Sequence, residues 1–220
     1  MRKKLLTCLL MLLCTAFATA QTYDDSKLSV AVDFGTGTFF GRSNLSSFGV
    51  DYRGEYKNGF NGNIKVNYLM DKEVQMGVKF NFSSVCENYN RIVAEQNGQV
   101  TDDVNLLYIA PQVGYRRKLT EKWYFDCMVG LGYMHYQSQS LYNGTERECS
   151  KGFLGSNADL GLTRHLFGNL YMGANVSLTG GQTSSLEEKA EGKKETIKLD
   201  KWNRIRILKA DVALSIKVLL

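Results

Sequence analysis

The amino-acid sequence predicts an all-β fold, an eight-stranded antiparallel up-and-down transmembrane β-barrel. Three observations point to it. Eight segments alternate large apolar residues with small or polar ones, the period of two expected of strands with unlike faces. The connections between them alternate between turns of a few residues and long polar stretches. The apolar face carries far more side-chain volume than its opposite, which decides the side that points outward.

The chain opens MRKKLLTCLLMLLCTAFATAQ. Arg2, Lys3 and Lys4 precede an apolar run from Leu5 to Phe17, and Ala18-Thr19-Ala20 supplies small residues for cleavage before Gln21. Residues 1–20 read as a secretory signal peptide, too short in its apolar part for the ~20 residues of a membrane helix. Leu12 and Leu13 lack the small side chains that a lipoprotein site at Cys14 would favour. Residues 21–220 then form one barrel domain. Without the signal the chain has 24 Lys+Arg against 22 Asp+Glu. That near-balance gives no basis for nucleic-acid binding.

The predicted strands, in order, are 28–40, 63–70, 73–83, 106–118, 122–137, 153–166, 169–180 and 207–220. Short turns join the second to the third (Asp71-Lys72), the fourth to the fifth (Leu119-Thr120-Glu121) and the sixth to the seventh (Phe167-Gly168). Long polar segments, about 41–62, 84–105, 138–152 and 181–206, make the other connections. Transmembrane barrels have this asymmetry between their two ends, and their strands cross in about 9–11 residues.

One face collects residues such as Val30, Val32, Phe34, Ile64, Val66, Val74, Met76, Val78, Leu107, Ile109, Val113, Val129, Leu160, Val176 and Leu214. The other holds Gly35, Gly37, Gly77, Gly114, Gly130, Gly132, Gly155, Gly161 and Gly173 with small Ala and Ser residues. It also holds charges: Asp33, Glu73, Asp126, Asp159 and Asp211 against Lys65, Lys79, Arg116, Lys118, Lys209 and Lys217. The interior of an eight-stranded barrel is only wide enough to be filled by side chains. The apolar set would overfill it, whereas glycines beside a few long polar chains fit. The charges nearly balance, as an interior hostile to unpaired charge demands. A lumen charge network is therefore expected among Asp33, Lys65, Lys79, Arg116, Asp126, Asp159, Lys209 and Asp211. The apolar face meets lipid.

Aromatic residues fall in two belts on that face. Tyr68, Tyr115, Trp123 and Phe125 lie near the short turns, and Phe40, Phe80, Phe82 and Tyr133 near the long connections, as interfacial girdles do. Pro111 lies on the outward face of the fourth strand, where it removes one ladder donor and predicts a local irregularity.

By these strands, turns and girdles, residues 27–220 resemble the small eight-stranded outer-membrane barrels of Gram-negative bacteria, the OmpX-like and OmpA-like family. The closing strand ADVALSIKVLL resembles the family's assembly signal, although the family usually ends in Phe and this strand ends in Leu220. The resemblance implies an outer-membrane location, contact with lipid, and a monomer.

Chemistry is sparse. Cys86 and Cys149 fall in long connections, where a disulfide between them is an open alternative. Cys127 lies mid-strand among apolar neighbours and is expected to be a buried small hydrophobe. His165 is inward by parity, with a local hydrogen bond expected. His135 is outward, in a place similar to that of the histidine of lipid-A deacylase barrels. Their site reads His-x-Ser, however, and His135-Tyr136-Gln137-Ser138 is one residue too long. No metal-ligand spacing is present, and Gly35-Thr36-Gly37 and Gly130-Leu131-Gly132 lack the context of a phosphate loop, so no cofactor is expected. The Glu/Lys-rich stretch at 187–201 reads as a solvated, mobile segment.

The expected function is non-enzymatic: a plugged membrane anchor whose outer loops bind an extracellular or membrane-protein partner or a surface. The alternatives are a narrow channel for small solutes and a lipid-modifying enzyme that would need His135. A secreted lipocalin-like barrel would need the apolar face inside, against the volume argument.

Overall fold

The computed structural model describes residues 27–40, 58–93, 96–142, 145–190, 193–199 and 204–220. The signal segment at 1–20 lies outside them. Ten strands are present among these residues: β1 (Leu28–Phe39), β2 (Gly59–Leu69), β3 (Val74–Val93), β4 (Gln96–Lys118), β5 (Trp123–Tyr142), β6 (Thr145–Phe167), β7 (Leu170–Thr183), β8 (Ser185–Ala190), β9 (Lys193–Lys198) and β10 (Ile205–Leu219). Eight of them close a barrel in the order β1-β2-β3-β4-β5-β6-β7-β10. The seam is β1 against β10, antiparallel from Ser29↔Leu219 to Phe39↔Lys209. All neighbours are antiparallel, and the strands correspond in order to the predicted ones.

The short turns stand where the sequence puts them. Asp71 accepts a hydrogen bond from the Lys72 amide at 2.7 Å, and the Met70 amide donates to the Val74 carbonyl at 2.9 Å. Thr120 Oγ1 accepts from the Trp123 amide at 3.2 Å. Gly168 has φ of 52°, in the left-handed region that a side chain would disfavour.

The long connections differ from expectation. β3 and β4 stay paired out to Val93↔Gln96, and β5 and β6 out to Tyr142↔Thr145. The stretches at 84–105 and 138–152 are thus hairpins projecting beyond the barrel. The stretch at 181–206 contains a further hairpin, β8–β9, whose inner strand pairs with β6 from Arg147↔Ala190 to Ser150↔Glu187. The physical reason is the change of solvent. Once the outer face is bathed by water, residues such as Asp103 and Gln139 serve there, and the apolar signal vanishes while the backbone continues to pair. Of the stretch 41–62, residues 41–57 lie outside the described residues, and β2 already begins at Gly59.

Side chains sort as the parity predicts. Phe34, Leu131, Leu154, Val212 and Leu214 are among the many exposed apolar residues of the outer wall. Ser29, Asp33, Asn63, Lys79, Asp159, Ser177 and Lys217 are buried inside. A second interior region was not foreseen. At the long-connection end, Phe39, Val85, Val104, Leu106, Tyr108, Met134, Tyr136, Leu186, Ile205 and Ile207 form an apolar cluster. The barrel therefore has a polar lower lumen and an apolar upper core.

Three details qualify the predicted positions. Lys118 is exposed beyond the lumen and Glu73 is only half-buried at its rim. Cys127 is half-exposed on the outward face, because its parity matches Phe125 and Val129; it is not a core residue. At Pro111 the register between β4 and β5 lapses, from Ile109↔Tyr133 to Gln112↔Gly130. Proline has no amide to give to the ladder there.

Candidate functional site

The lumen charges meet in pairs, some between neighbouring strands and some across the barrel. On β1 and β2, Lys65 Nζ lies 2.7 Å from Asp33 Oδ2, and Asn63 Nδ2 donates to the same oxygen at 3.3 Å. At mid-height, Lys79 of β3 reaches Asp159 of β6 at 2.6 Å and Ser177 of β7 at 2.6 Å. Ser177 also donates to Asp159 Oδ1. The other carboxylate oxygen accepts from Gln112 Nε2 at 2.8 Å and from Asn157 Nδ2 at 3.1 Å. Tyr108 OH in turn donates to Asn157 Oδ1 at 2.9 Å.

Nearer the short-turn end, Asp126 of β5 is the acceptor. It pairs with Lys217 of β10, receives Gln75 Nε2 at 3.1 Å, and lies 3.9 Å from Arg116 Nε. The Arg116 guanidinium also sits 4.8 Å from the Tyr124 ring centroid and 5.5 Å from that of Tyr171, in cation–π range. Towards the apolar core, Lys209 lies 3.1 Å from Asp211 Oδ2. It also donates to Asn61 and Asn81, each at 3.1 Å, and to Ser83.

All eight residues expected in the network thus face inward and are buried. Sequence reasoning missed Lys217 as a partner of Asp126, although it placed that lysine inside. It also missed the amides of Asn61, Asn63, Gln112 and Asn157, which join Gln75 and Asn81 in the lumen, where the sequence places those two. The signal was available, since each shares the inward parity of the neighbouring charges. The packing leaves little room: a void of about 20 Å³ is lined by Lys65, Asn67, Asp126, Thr163, Asn175 and Lys217 among others. That volume suits a water molecule or so.

Outside, Tyr68, Tyr115, Trp123, Phe40, Phe80, Phe82 and Tyr133 are exposed, and Phe125 is half-exposed. They stand at the two levels where girdles were expected. Arg164 lies 5.9 Å from the Trp123 ring centroid.

The remaining candidates separate. No disulfide joins Cys86 to Cys149: Cys86 is exposed on the outward face of β3, and Cys149 is buried on the inward face of β6. Burial, then the nearby Glu188 carboxylate, pushes the Cys149 thiol up to about 11. His165 Nε2 makes its local hydrogen bond to the Gly168 carbonyl at 2.9 Å. His135 Nδ1 lies 3.4 Å from Tyr133 OH, whereas Ser138 is buried on the opposite, inward face. A His135–Ser138 catalytic pair is therefore not assembled. The stretch at 187–201 is tied down in part, with Arg147 Nε 3.5 Å from Glu188 and Lys151 Nζ 3.7 Å from Glu187.

Known structures resemble this architecture. Neisserial surface protein A superposes with a TM-score of 0.51 at 12% identity, covering 88% of this chain and 97% of that one. A major outer membrane protein from Thermus thermophilus gives 0.52 at 11% identity, covering 86% and 99%. The outer membrane protein OprG from Pseudomonas aeruginosa gives 0.50 at 12%, covering 89% and 98%. At these identities the likeness is one of fold. No curated protein sequence matches. The family model of the outer membrane protein beta-barrel domain, however, matches residues 6–203, and the chain belongs to that family: it is an outer-membrane β-barrel protein.

Proposed function

We propose that this protein is a sealed, non-enzymatic anchor that holds its projecting hairpins at the outer surface for a partner protein or surface to bind. The observation that carries this reading is the filled interior. Ion pairs and amides occupy the lower lumen, and the apolar core closes the upper end. A hydrated ion would have to break the Lys79–Asp159 pair and then shed its water to cross a packed, mostly apolar core. The hairpins are built stiffly enough to present a surface. The β3–β4 and β5–β6 pairs extend beyond the barrel without a break in register, and Leu186 roots β8 in the upper core.

Two measurements test this. Reconstituted into planar bilayers, the protein gives no steady unit conductance; a stable open level would replace the anchor with the channel. In intact cells, a photo-crosslinking residue at exposed Ile197 or Leu141 captures the same surface partner, while one at lipid-facing Val113 captures none. If neither hairpin position yields an adduct, the binding half of the proposal fails.

A further inference from the structure

The three short turns, which face the periplasm in barrels of this kind, are not charged alike. The β2–β3 turn sets Asp71 and Glu73 against Lys72, and Phe167-Gly168 between β6 and β7 carries no charge. The β4–β5 turn and the strand ends beside it carry Arg117, Lys118, Lys122 and, on β6, Arg164, against the carboxylate of Glu121. All four basic side chains are exposed. Among the described residues none of the four is in an ion pair. One sector of the periplasmic rim is therefore strongly basic.

Two of the four stand on the lipid-facing wall. Arg117 is opposite Phe125 across β4 and β5, and Arg164 is opposite Trp123 across β5 and β6, so both arginines share the outward parity of those aromatic residues. Strand spacing and rise put the two backbones roughly 12 Å apart on a diagonal, with Trp123 and Phe125 between them. Side chains of this length can meet over the indole, and the Arg164 guanidinium lies 5.9 Å from its ring centroid. The His165 amide donates to the Lys122 carbonyl at 2.7 Å, which fixes the turn beside Arg164. One step towards the middle of the bilayer, the outward row Tyr115–Cys127–Leu160 dips at Cys127, whose side chain is the smallest of the three. A guanidinium at the edge of hydrocarbon takes an anion with planar, paired acceptors, and at this level such anions are lipid phosphates.

We propose that this sector binds an anionic phospholipid of the periplasmic leaflet. Arg117 and Arg164 hold its phosphate over Trp123 and Phe125, Lys118 and Lys122 face the headgroup from the aqueous side, and one acyl chain descends along the dip at Cys127. The place of the arginines selects the occupant. They reach a headgroup whose tails run down the wall, whereas a soluble anion would have apolar side chains beneath it. A zwitterionic phospholipid brings an amine or ammonium that the four basic groups repel. The site lies outside the barrel and is independent of the anchor reading.

The test follows Trp123 fluorescence in the full chain, with Trp202→Phe making it the single reporter, in vesicles that mix dioleoyl phosphatidylcholine with a lipid brominated on its acyl chains. Brominated phosphatidylglycerol quenches Trp123 as a lipid enriched at least about threefold over brominated phosphatidylcholine does. Raising NaCl from about 0.05 to about 0.5 M lowers that enrichment. The double change Arg117→Gln and Arg164→Gln removes it, each variant being normalised to its own quenching by brominated phosphatidylcholine. Should that variant fail to reach its heat-modifiable folded form, Lys118→Gln with Lys122→Gln, in two exposed rim residues, is expected to lower the enrichment about twofold. A second reporter, Tyr68→Trp with both native tryptophans changed to Phe, shows no enrichment, because Lys27 and Lys72 in its sector are balanced by Asp71 and Glu73. Equal quenching by the two brominated lipids would overturn the proposal. So would enrichment that survives the arginine changes, that Tyr68→Trp reports equally, or that inorganic phosphate abolishes at matched ionic strength, the mark of a soluble anion.

Discussion

The pair between Lys79 and Asp159 provides the sharpest test of how the lumen is held. Lys79 is fully buried, and its ammonium has two close partners, Asp159 and Ser177. Replacing Asp159 by the nearly isosteric Asn removes the counter-charge and leaves a buried ammonium with a hydroxyl and a neutral amide. Breaking one side of a buried pair costs about 3–5 kcal/mol. The converse change, Lys79→Met, is milder, because Asp159 keeps donors from Gln112, Asn157 and Ser177. Charge-assisted hydrogen bonds of that kind contribute roughly 1.5–3 kcal/mol each. The double variant strands no charge, so it should be more stable than Asp159→Asn alone, with a coupling energy of at least about 2 kcal/mol. Urea unfolding in lipid vesicles, followed by tryptophan fluorescence and by the gel shift of unboiled samples, measures all four proteins. Additive single effects, or an Asp159→Asn variant within about 1 kcal/mol of the parent, would show that the pair does not hold the barrel.

The other expectations are simpler. With its thiol pushed up to about 11 from 9.0, Cys149 carries roughly a hundredfold less thiolate at pH 8 than an ordinary cysteine. Its alkylation should lag far behind that of exposed Cys86 and accelerate about tenfold per pH unit between 8 and 10; equal rates would contradict its burial. Reduced and non-reduced samples should migrate identically on a gel, whereas a reductant-dependent shift would reinstate the Cys86–Cys149 disulfide. Gly173→Ala should be destabilised by about 1–3 kcal/mol through overpacking, since the new methyl group meets the Leu162 carbonyl oxygen. Gly161→Ala is the control, with its nearest contact, Asn175 Oδ1, at an ordinary 3.5 Å; equal losses in the two would undo the argument from space.

Much of this architecture was legible because a barrel in lipid writes its inside and outside on alternate residues. Asp33, Lys79 and Asp159 announce themselves as charges in step with glycines, and Val78 and Phe80 as their opposites. Parity locates such residues on a face but does not choose partners. Lys217 and Arg116 both approach Asp126, and only the stagger between β4, β5 and β10 says so. The upper core was hidden for a different reason. Leu106, Tyr108, Met134 and Tyr136 lie beside outward residues such as Leu107 and Tyr133, so alternation fades where both faces are apolar. Above them it fades again where the outer face turns polar, and there the β3–β4 and β5–β6 hairpins passed for loops. The β8–β9 hairpin owes its order to Leu186 in the core and to pairing with β6, neither of which is visible in a stretch of Glu and Lys.

The contacts across the lumen join parts of the chain that are made far apart. Lys79 and Asp159 are 80 residues distant in sequence, Lys217 and Asp126 91, and Lys209 and Asn61 148. In a sheet not yet curled shut, Asp126 would keep Arg116 on the next strand and Lys209 would keep Asp211 on its own, but Lys79 and Lys217 would lose their carboxylate partners. Completing the long-range pairs and closing the barrel are consequently coupled. The bilayer is therefore a poor solvent for an unclosed wall, whose Lys79 and Lys217 have no carboxylate beside them until the last strand is in place.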